Sequence, residues 1–223
     1  MKSAMILAAG RGERLRPLTD KHPKALCTLF NKPLLAHHLE HLIQSGFKRV
    51  IINHAYLGDQ IRRFVNGHFH TRLEIIFSPE PPGALETGGG IVNALNSLGT
   101  EPFVTINADI YMDYDLRNLQ LPNQRLAHVI LVPKPSYRNI GDYGLSADGL
   151  LINSERNYIF SGITVYHPDF FKHALTGRYS VTPMIRKMAE QEHISGELHQ
   201  GVWFDIGTPE QLKLAEAYTN QML

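Results

Sequence analysis

Leu7-Ala8-Ala9-Gly10-Arg11-Gly12-Glu13-Arg14-Leu15-Arg16-Pro17-Leu18-Thr19, followed by Pro23-Lys24, decides how this chain is read. The apolar run Met5-Ile6-Leu7 feeds directly into it. Short uninterrupted apolar runs are how buried strands of a parallel sheet read. Two glycines in the turn let backbone amides face inward on an anion. Arg14 and Lys24 add two fixed positive charges. Together these features suit a loop that holds a phosphate chain. The alternative for Arg11, Arg14 and Arg16 is a solvated basic loop.

Two common phosphate loops do not fit. The P-loop pattern, with Gly-Lys-Ser/Thr at its end, is absent. A dinucleotide fingerprint needs a third glycine where helix and strand pack closely, and Leu15 stands there instead.

Outward from this loop, strand-like runs occur at 4–7, 50–53, 73–77, 103–107 and 129–132, with helical patterns at 33–45, 57–65 and 90–98. That alternation predicts an α/β fold, a Rossmann-like three-layer sandwich with a mostly parallel central sheet. Ligands of such sheets bind at the carboxyl ends of the strands, which puts Gly10 and Asp109 on one rim. Pro33 suits a first helical turn and Gly46 the position after the end. Further on, 158–166 reads as a strand and 182–192 as a helix. The stretch 208–220 reads as a final helix, capped by Thr208 with Pro209 first. The loop 79–83 is stiffened by prolines. It is either a plain connection or one wall of a site.

With 223 residues and 43% hydrophobic content, the chain suits one sizeable globular domain spanning 1–223. Twenty-two basic residues against 21 acidic ones give a net charge of +1, which argues against nucleic-acid or membrane partners. The single cysteine, Cys27, excludes an internal disulfide and a cysteine zinc cluster. The first apolar run is too short for a signal peptide or a membrane span, so a cytoplasmic protein is expected.

The pattern Gly10-x-Gly12-x-Arg14-Leu15-x-Pro17-Leu18-Thr19…Pro23-Lys24 resembles the signature of the sugar-1-phosphate nucleotidyltransferases. The resemblance continues at Gly88-Gly89-Gly90, Asn107-Ala108-Asp109, Asp142-Tyr143-Gly144, Phe160-Ser161-Gly162-Ile163 and Trp203-Phe204-Asp205-Ile206-Gly207-Thr208. Glu13 departs from it, standing where the family usually has threonine. The family joins a nucleoside triphosphate to a sugar 1-phosphate and releases pyrophosphate. The resemblance therefore implies Arg14 and Lys24 as catalytic cations, with Mg2+ on Asp109 and Asp205. Leu7, Ala8, Ala9, Gly10, Gly12, Glu13, Thr87, Gly88 and Ala108 would line the nucleotide. Asn107, Gly144, Glu155, Ser161 and Gly162 would line the sugar, Glu155 standing in for an acidic residue usually found on a strand. Ala8-Ala9 favours UTP over GTP. The compact length, with the stretches 85–90 and 160–163, is most similar to members that take N-acetylmuramic acid α-1-phosphate. Compact mannose-1-phosphate guanylyl enzymes come next. A monomer is expected, without the β-helix that many larger relatives carry.

The chemistry agrees with these residue types. A sugar-phosphate oxygen is already an anion, so no general base is needed. The site must instead align anions and neutralise charge on the leaving group. Asp205 lies in an apolar run, where a carboxylate is costly unless paired or liganded. Asp113 is expected to start a helical turn. A non-catalytic nucleotide-sugar-binding protein is the rival reading, although binding alone does not require both carboxylates. His37-His38-Leu39-Glu40-His41 matches a metallopeptidase string, yet His37, Glu40 and His41 fall opposite Leu35, Leu39 and Leu42. A solvated polar face accounts for them.

Overall fold

The computed structural model describes residues 2–136 and 138–219. Seven strands form the main sheet: β1 (Ser3–Leu7), β2 (Arg49–His54), β3 (Glu74–Pro79), β4 (Phe103–Asn107), β5 (Ala127–Pro133), β6 (Tyr158–Tyr166) and β7 (Ile194–Leu198). Their order is β7-β5-β6-β4-β1-β2-β3. All run parallel except β6, which is antiparallel to both neighbours. Five helices accompany the sheet: α1 (Leu34–Gln44), α2 (Gly58–His68), α3 (Glu86–Leu98), α4 (Thr182–Glu190) and α5 (Pro209–Thr219).

Side-chain alternation along each strand builds the two outer layers. Ala4 and Ile6 of β1 join Val50 and Ile52 of β2 under Leu35, Leu39 and Leu42 of α1 and Ile61 and Val65 of α2. Met5 and Ile51 face the other way, toward Ile91, Ala94 and Leu98 of α3 and Ile185 and Ala189 of α4. Each fully buried leucine or isoleucine contributes about 2 kcal/mol. A third, smaller cluster joins Leu15, Leu29 and Leu34 to Ile206, Leu212 and Ala215. Leu15 is wholly buried there. A large side chain at the third glycine position is therefore an anchor, tying the first loop to α5.

Two helix ends follow the sequence signals, while Pro33 is extended, with ψ 140°, and stands just before α1 rather than in its first turn. Gly46 follows α1 with φ 81°, a left-handed value that glycine takes at no steric cost. Thr208 Oγ1 accepts the Gln211 N–H at 3.3 Å. The last residue expected in α5, Asn220, lies outside the described residues.

Two expectations change. The polar face of α1 is half-buried rather than solvated. The segment carrying Tyr111, Met112 and Asp113 lies across it, leaving a cavity of about 230 Å³. Among the described residues, no three His, Cys, Asp or Glu side chains converge as a metal cage. Asp115, not Asp113, caps the following turn by accepting the Arg117 N–H. Asp113 accepts instead from His199 at 2.7 Å.

Helix α3 starts four residues earlier than expected, so Gly88-Gly89-Gly90 lies inside it. Glycine is a poor helix former, and packing explains its use. A Cβ at Gly88 would meet the Tyr179 ring at 2.5 Å, one at Gly89 the Gly177 carbonyl oxygen at 2.0 Å, and one at Gly90 Glu80 Oε1 at 2.5 Å. Gly89→Ala is therefore expected to cost about 1–3 kcal/mol through overpacking. Gly67→Ala, at an exposed position of α2 where nothing lies within 4 Å, should add roughly 0.5–1 kcal/mol. Urea unfolding midpoints check the pair, and equal shifts for both would contradict the packing account.

Candidate active site

Four parallel strands, β1 to β4, end on one rim. The loops beyond them surround a cleft of about 920 Å³ whose lining includes Leu7, Ala9, Gly10, Gly12, Glu13, Thr87, Asn107 and Asp109. Loop 79–83 supplies part of one wall through Glu80, Pro82 and Gly83.

The end of β1 is fixed on both sides. Ala108 N–H donates to the Leu7 carbonyl at 3.2 Å, and Ala8 N–H donates to Asn53 Oδ1 at 2.6 Å. The chain then turns at Gly12, φ 69°. The Gly12 carbonyl accepts from Leu15 N–H at 3.0 Å and Thr19 Oγ1 at 2.8 Å. A Cβ at Gly12 would sit 2.9 Å from Lys24 Cβ, so glycine serves both the left-handed turn and the close approach of Lys24. At Gly10 nothing lies within 4 Å of a Cβ, because that position opens to the cleft. Glu13 is exposed, 3.8 Å from Arg11. The Arg11 guanidinium lies 4.2 Å from the centre of the Tyr56 ring.

Four charged residues from distant parts of the chain gather at the edge of this cleft. Lys24 Nζ donates to Asp109 Oδ2 at 2.5 Å. Strand pairing brings in Asp205: Trp203–Asp205 runs antiparallel to Ile110–Met112, with Asp205 opposite Ile110. Ile206 N–H closes the pair on the Asp109 carbonyl at 2.8 Å. Burial, then the Asp109 carboxylate, push the Asp205 carboxyl above its usual range, while Lys24, Arg14 and Arg138 pull the other way. Arg14 is exposed and reaches Gly207, where a Cβ would lie 3.1 Å from its Nη2.

The remaining expected positions divide. Asn107 and Gly162 adjoin: Gly162, φ 97°, marks the irregularity in β6, and a Cβ there would lie 3.1 Å from Asn107 Cβ. Gly144 is buried against the carbonyls of Ser154 and Glu155, 2.4 and 2.8 Å from its would-be Cβ. Glu155 itself is exposed on a bend, φ 50°, not on a strand. Ser161 is fully buried, and its Oγ accepts the Ile163 N–H at 3.2 Å. That hydroxyl completes the β6 irregularity and does not face the cleft. Gly88 and Ala108 are buried with their N–H groups used, Gly88 on the Tyr179 carbonyl at 2.9 Å. Thr87 lines the cleft, while its Oγ1 accepts the Val181 N–H at 3.0 Å.

Several lining residues carry no motif. Asn53 and Glu80 were legible only as polar residues at the carboxyl ends of apolar strands. Tyr56 and Arg178 gave no signal, and Arg178 lies 3.3 Å from Glu86. Beneath the Asn107–Asp109 turn sits His38, 7% exposed. Burial lowers its pKa to about 4, opposed by the Ala108 backbone, so it is neutral at physiological pH.

The donor chemistry suits a hard divalent cation. Two carboxylates on adjacent backbone offer oxygen ligands and leave room for phosphate and water oxygens, as Mg2+ prefers. Among the described residues, no helix is long and apolar enough to cross a membrane.

Relatives match the chain over nearly its whole length. It is 41% identical to an N-acetylmuramate alpha-1-phosphate uridylyltransferase of Neisseria meningitidis over 96% of both chains. It is 30% identical to one from Caulobacter vibrioides, over 97% of this chain and 96% of that one. The crystal structure of HddC from Yersinia pseudotuberculosis superposes with a TM-score of 0.81 at 22% identity, over 98% of this chain and all of that one, which shows a common fold. A family model described as "Nucleotidyl transferase" matches residues 3–149, and with these relatives it establishes that the chain belongs to the nucleotidyltransferase family.

Proposed function

We propose that this protein transfers a uridylyl group from UTP to a sugar 1-phosphate, with N-acetylmuramic acid α-1-phosphate as the acceptor. The observation that carries the reading is the convergence of Lys24, Asp109, Asp205 and Arg14 beside the glycine loop. The names of the two full-length relatives support the choice of nucleotide and sugar.

An oxygen of the sugar phosphate forms a bond to the α-phosphorus of UTP. The bond from that phosphorus to the bridging oxygen breaks, and pyrophosphate leaves with the electron pair. No proton need move. Lys24 spends one of its three donors on Asp109 and has two for phosphate oxygens. Arg14, exposed at the edge, forks onto the departing phosphates. Asp109 and Asp205 would hold Mg2+, which supplies charge neutralisation at the phosphates. Gly10 and Gly12 let backbone come close to the nucleotide. Asn107 and the backbone around Gly162 and Gly144 border the sugar end.

Pyrophosphate release with Mg2+ tests the reading across UTP and GTP against N-acetylmuramic acid, N-acetylglucosamine, glucose and mannose 1-phosphates. Turnover is expected with UTP and N-acetylmuramic acid 1-phosphate. Preference for GTP with mannose 1-phosphate would replace both substrates, and nucleotide binding without turnover would leave a regulatory protein.

Lys24→Ala and Asp109→Asn are each expected to lower kcat by about 10²- to 10³-fold, with circular dichroism unchanged. A rate within threefold of wild type would remove that residue from the mechanism.

Asp205 separates stability from activity. Its raised pKa means that the folded chain holds that proton more tightly than the unfolded chain. This contribution favours the fold below the ordinary carboxylate value and fades as pH rises through the raised one. At neutral pH the charged form is thus a strain on the fold. Asp205→Asn should raise Tm there while lowering kcat by about 10²-fold or more. Scanning calorimetry beside the same assay checks it, and a lower Tm would show that the cations outweigh burial.

A further inference from the structure

We propose that Asn53 and Glu80 form a positioning pair that sets the two walls of the nucleotide cleft as one unit, an inference that rests on the nucleotidyl-transfer reading above. Both line the cleft, yet both are buried, 2% and 9% exposed. A carboxylate in a cleft for a polyanion would repel its ligand unless its charge were already engaged. Glu80 meets that condition. Its Oε1 accepts from Asn53 Nδ2 at 2.7 Å, and its Oε2 accepts the Leu85 N–H at 2.7 Å.

The pair also determines which way the Asn53 amide points. An ionised carboxylate only accepts, so Asn53 must turn its NH₂ toward Glu80. Its Oδ1 is thereby aimed at Ala8, whose N–H it accepts at 2.6 Å. The resulting line runs from Ala8 through Asn53 and Glu80 to Leu85. It joins the start of the glycine loop to Leu85, the residue just before α3, the helix carrying Thr87. Glu80 is itself held by its N–H on the His54 carbonyl at 2.9 Å. Gly90 makes the space, since a Cβ there would lie 2.5 Å from Glu80 Oε1 and 2.9 Å from Asn53 Nδ2.

The line also explains why a glutamate stands here and not a glutamine. Two donors, Asn53 Nδ2 and Leu85 N–H, meet at one side chain. Glutamine has a single acceptor oxygen and would set its own NH₂ against one of them. Neither residue touches the reacting phosphorus in this account. They act by fixing the loops that do.

UTP affinity by titration calorimetry and steady-state kinetics test the pair. In Glu80→Gln, UTP Kd and KM should rise about ten- to a hundredfold, the loss of a charge-assisted hydrogen bond, while the KM for the sugar 1-phosphate stays within twofold. Asn53→Ala should behave alike, and the double variant should lose no more than either single one, because one break severs the line. Gly90→Ala displaces the pair without removing either member and should give the same split. It stands in if Glu80→Gln does not fold. UTP affinity within twofold of wild type in a folded Glu80→Gln or Gly90→Ala protein would overturn the proposal, as would additive losses or an equal rise in both KM values. Wild-type turnover judges the parent reading separately: if wild type binds UTP without turnover, that reading fails, and the affinities still decide the pair.

Discussion

Two carboxylates have to stand side by side at the rim of this sheet, and backbone pairing holds them there against their own repulsion. Asp205 is brought opposite Ile110 by a strand that arrives nearly a hundred residues later, and Ile206 N–H closes on the Asp109 carbonyl at 2.8 Å. Burial of the next residue does the rest. Ile206 sinks into the cluster that also takes Leu15, and both are fully buried. Arg14 precedes Leu15 and Asp205 precedes Ile206. One small apolar cluster thus fixes a cation and a carboxylate through the chain beside each. The site depends on that core as well as on its own charges, since a partly buried pair such as Lys24–Asp109 loses hydration and needs a fixed geometry to recover it.

The fold was legible because its signals are local and repeated. The runs at 103–107 and 158–166 match β4 and β6 residue for residue, since each apolar run is bounded by residues that favour turns. Helix α3 is longer by four residues than its sequence pattern predicts, because a glycine triplet looks like a loop. Only tertiary neighbours, Tyr179, Gly177 and Glu80, show why a helix needs it there. The antiparallel run of β6 between parallel neighbours is not written locally either, because direction is set by the long connections.

At the site, residues carried by the long signature were easier to read than residues outside it. A lysine after a proline and an aspartate after a strand each have ordinary uses, and it is the signature that singles out Lys24 and Asp109, which meet at 2.5 Å. The resemblance puts Ser161 at the sugar, a role that a hydroxyl suits. The same hydroxyl equally suits a bulged backbone, and that is where it is spent. Glu155 had the right charge, yet it sits on an exposed bend. Asn53 and Glu80 carry no motif at all. Their importance arises from the parallel register that sets Leu7 beside Asn53 and Asn53 beside Ser78.

Acidic residues around a cleft for phosphates look contradictory until each is followed to its partner. Asp109 holds Lys24, Glu80 holds two N–H groups, Glu86 lies 3.3 Å from Arg178, and Glu13 lies 3.8 Å from Arg11. These partners differ in what they leave free. The N–H groups on Glu80 are committed, so that carboxylate is structural and its charge is hidden. The cations keep unused donors, so each can hold its carboxylate and still reach a phosphate. Acids here therefore aim the cations at little cost, because a long flexible side chain that already has one partner loses less freedom when it gains a second. For the proposed transfer such an arrangement is preorganised, since cations already held by a carboxylate need little reorientation for the reacting step.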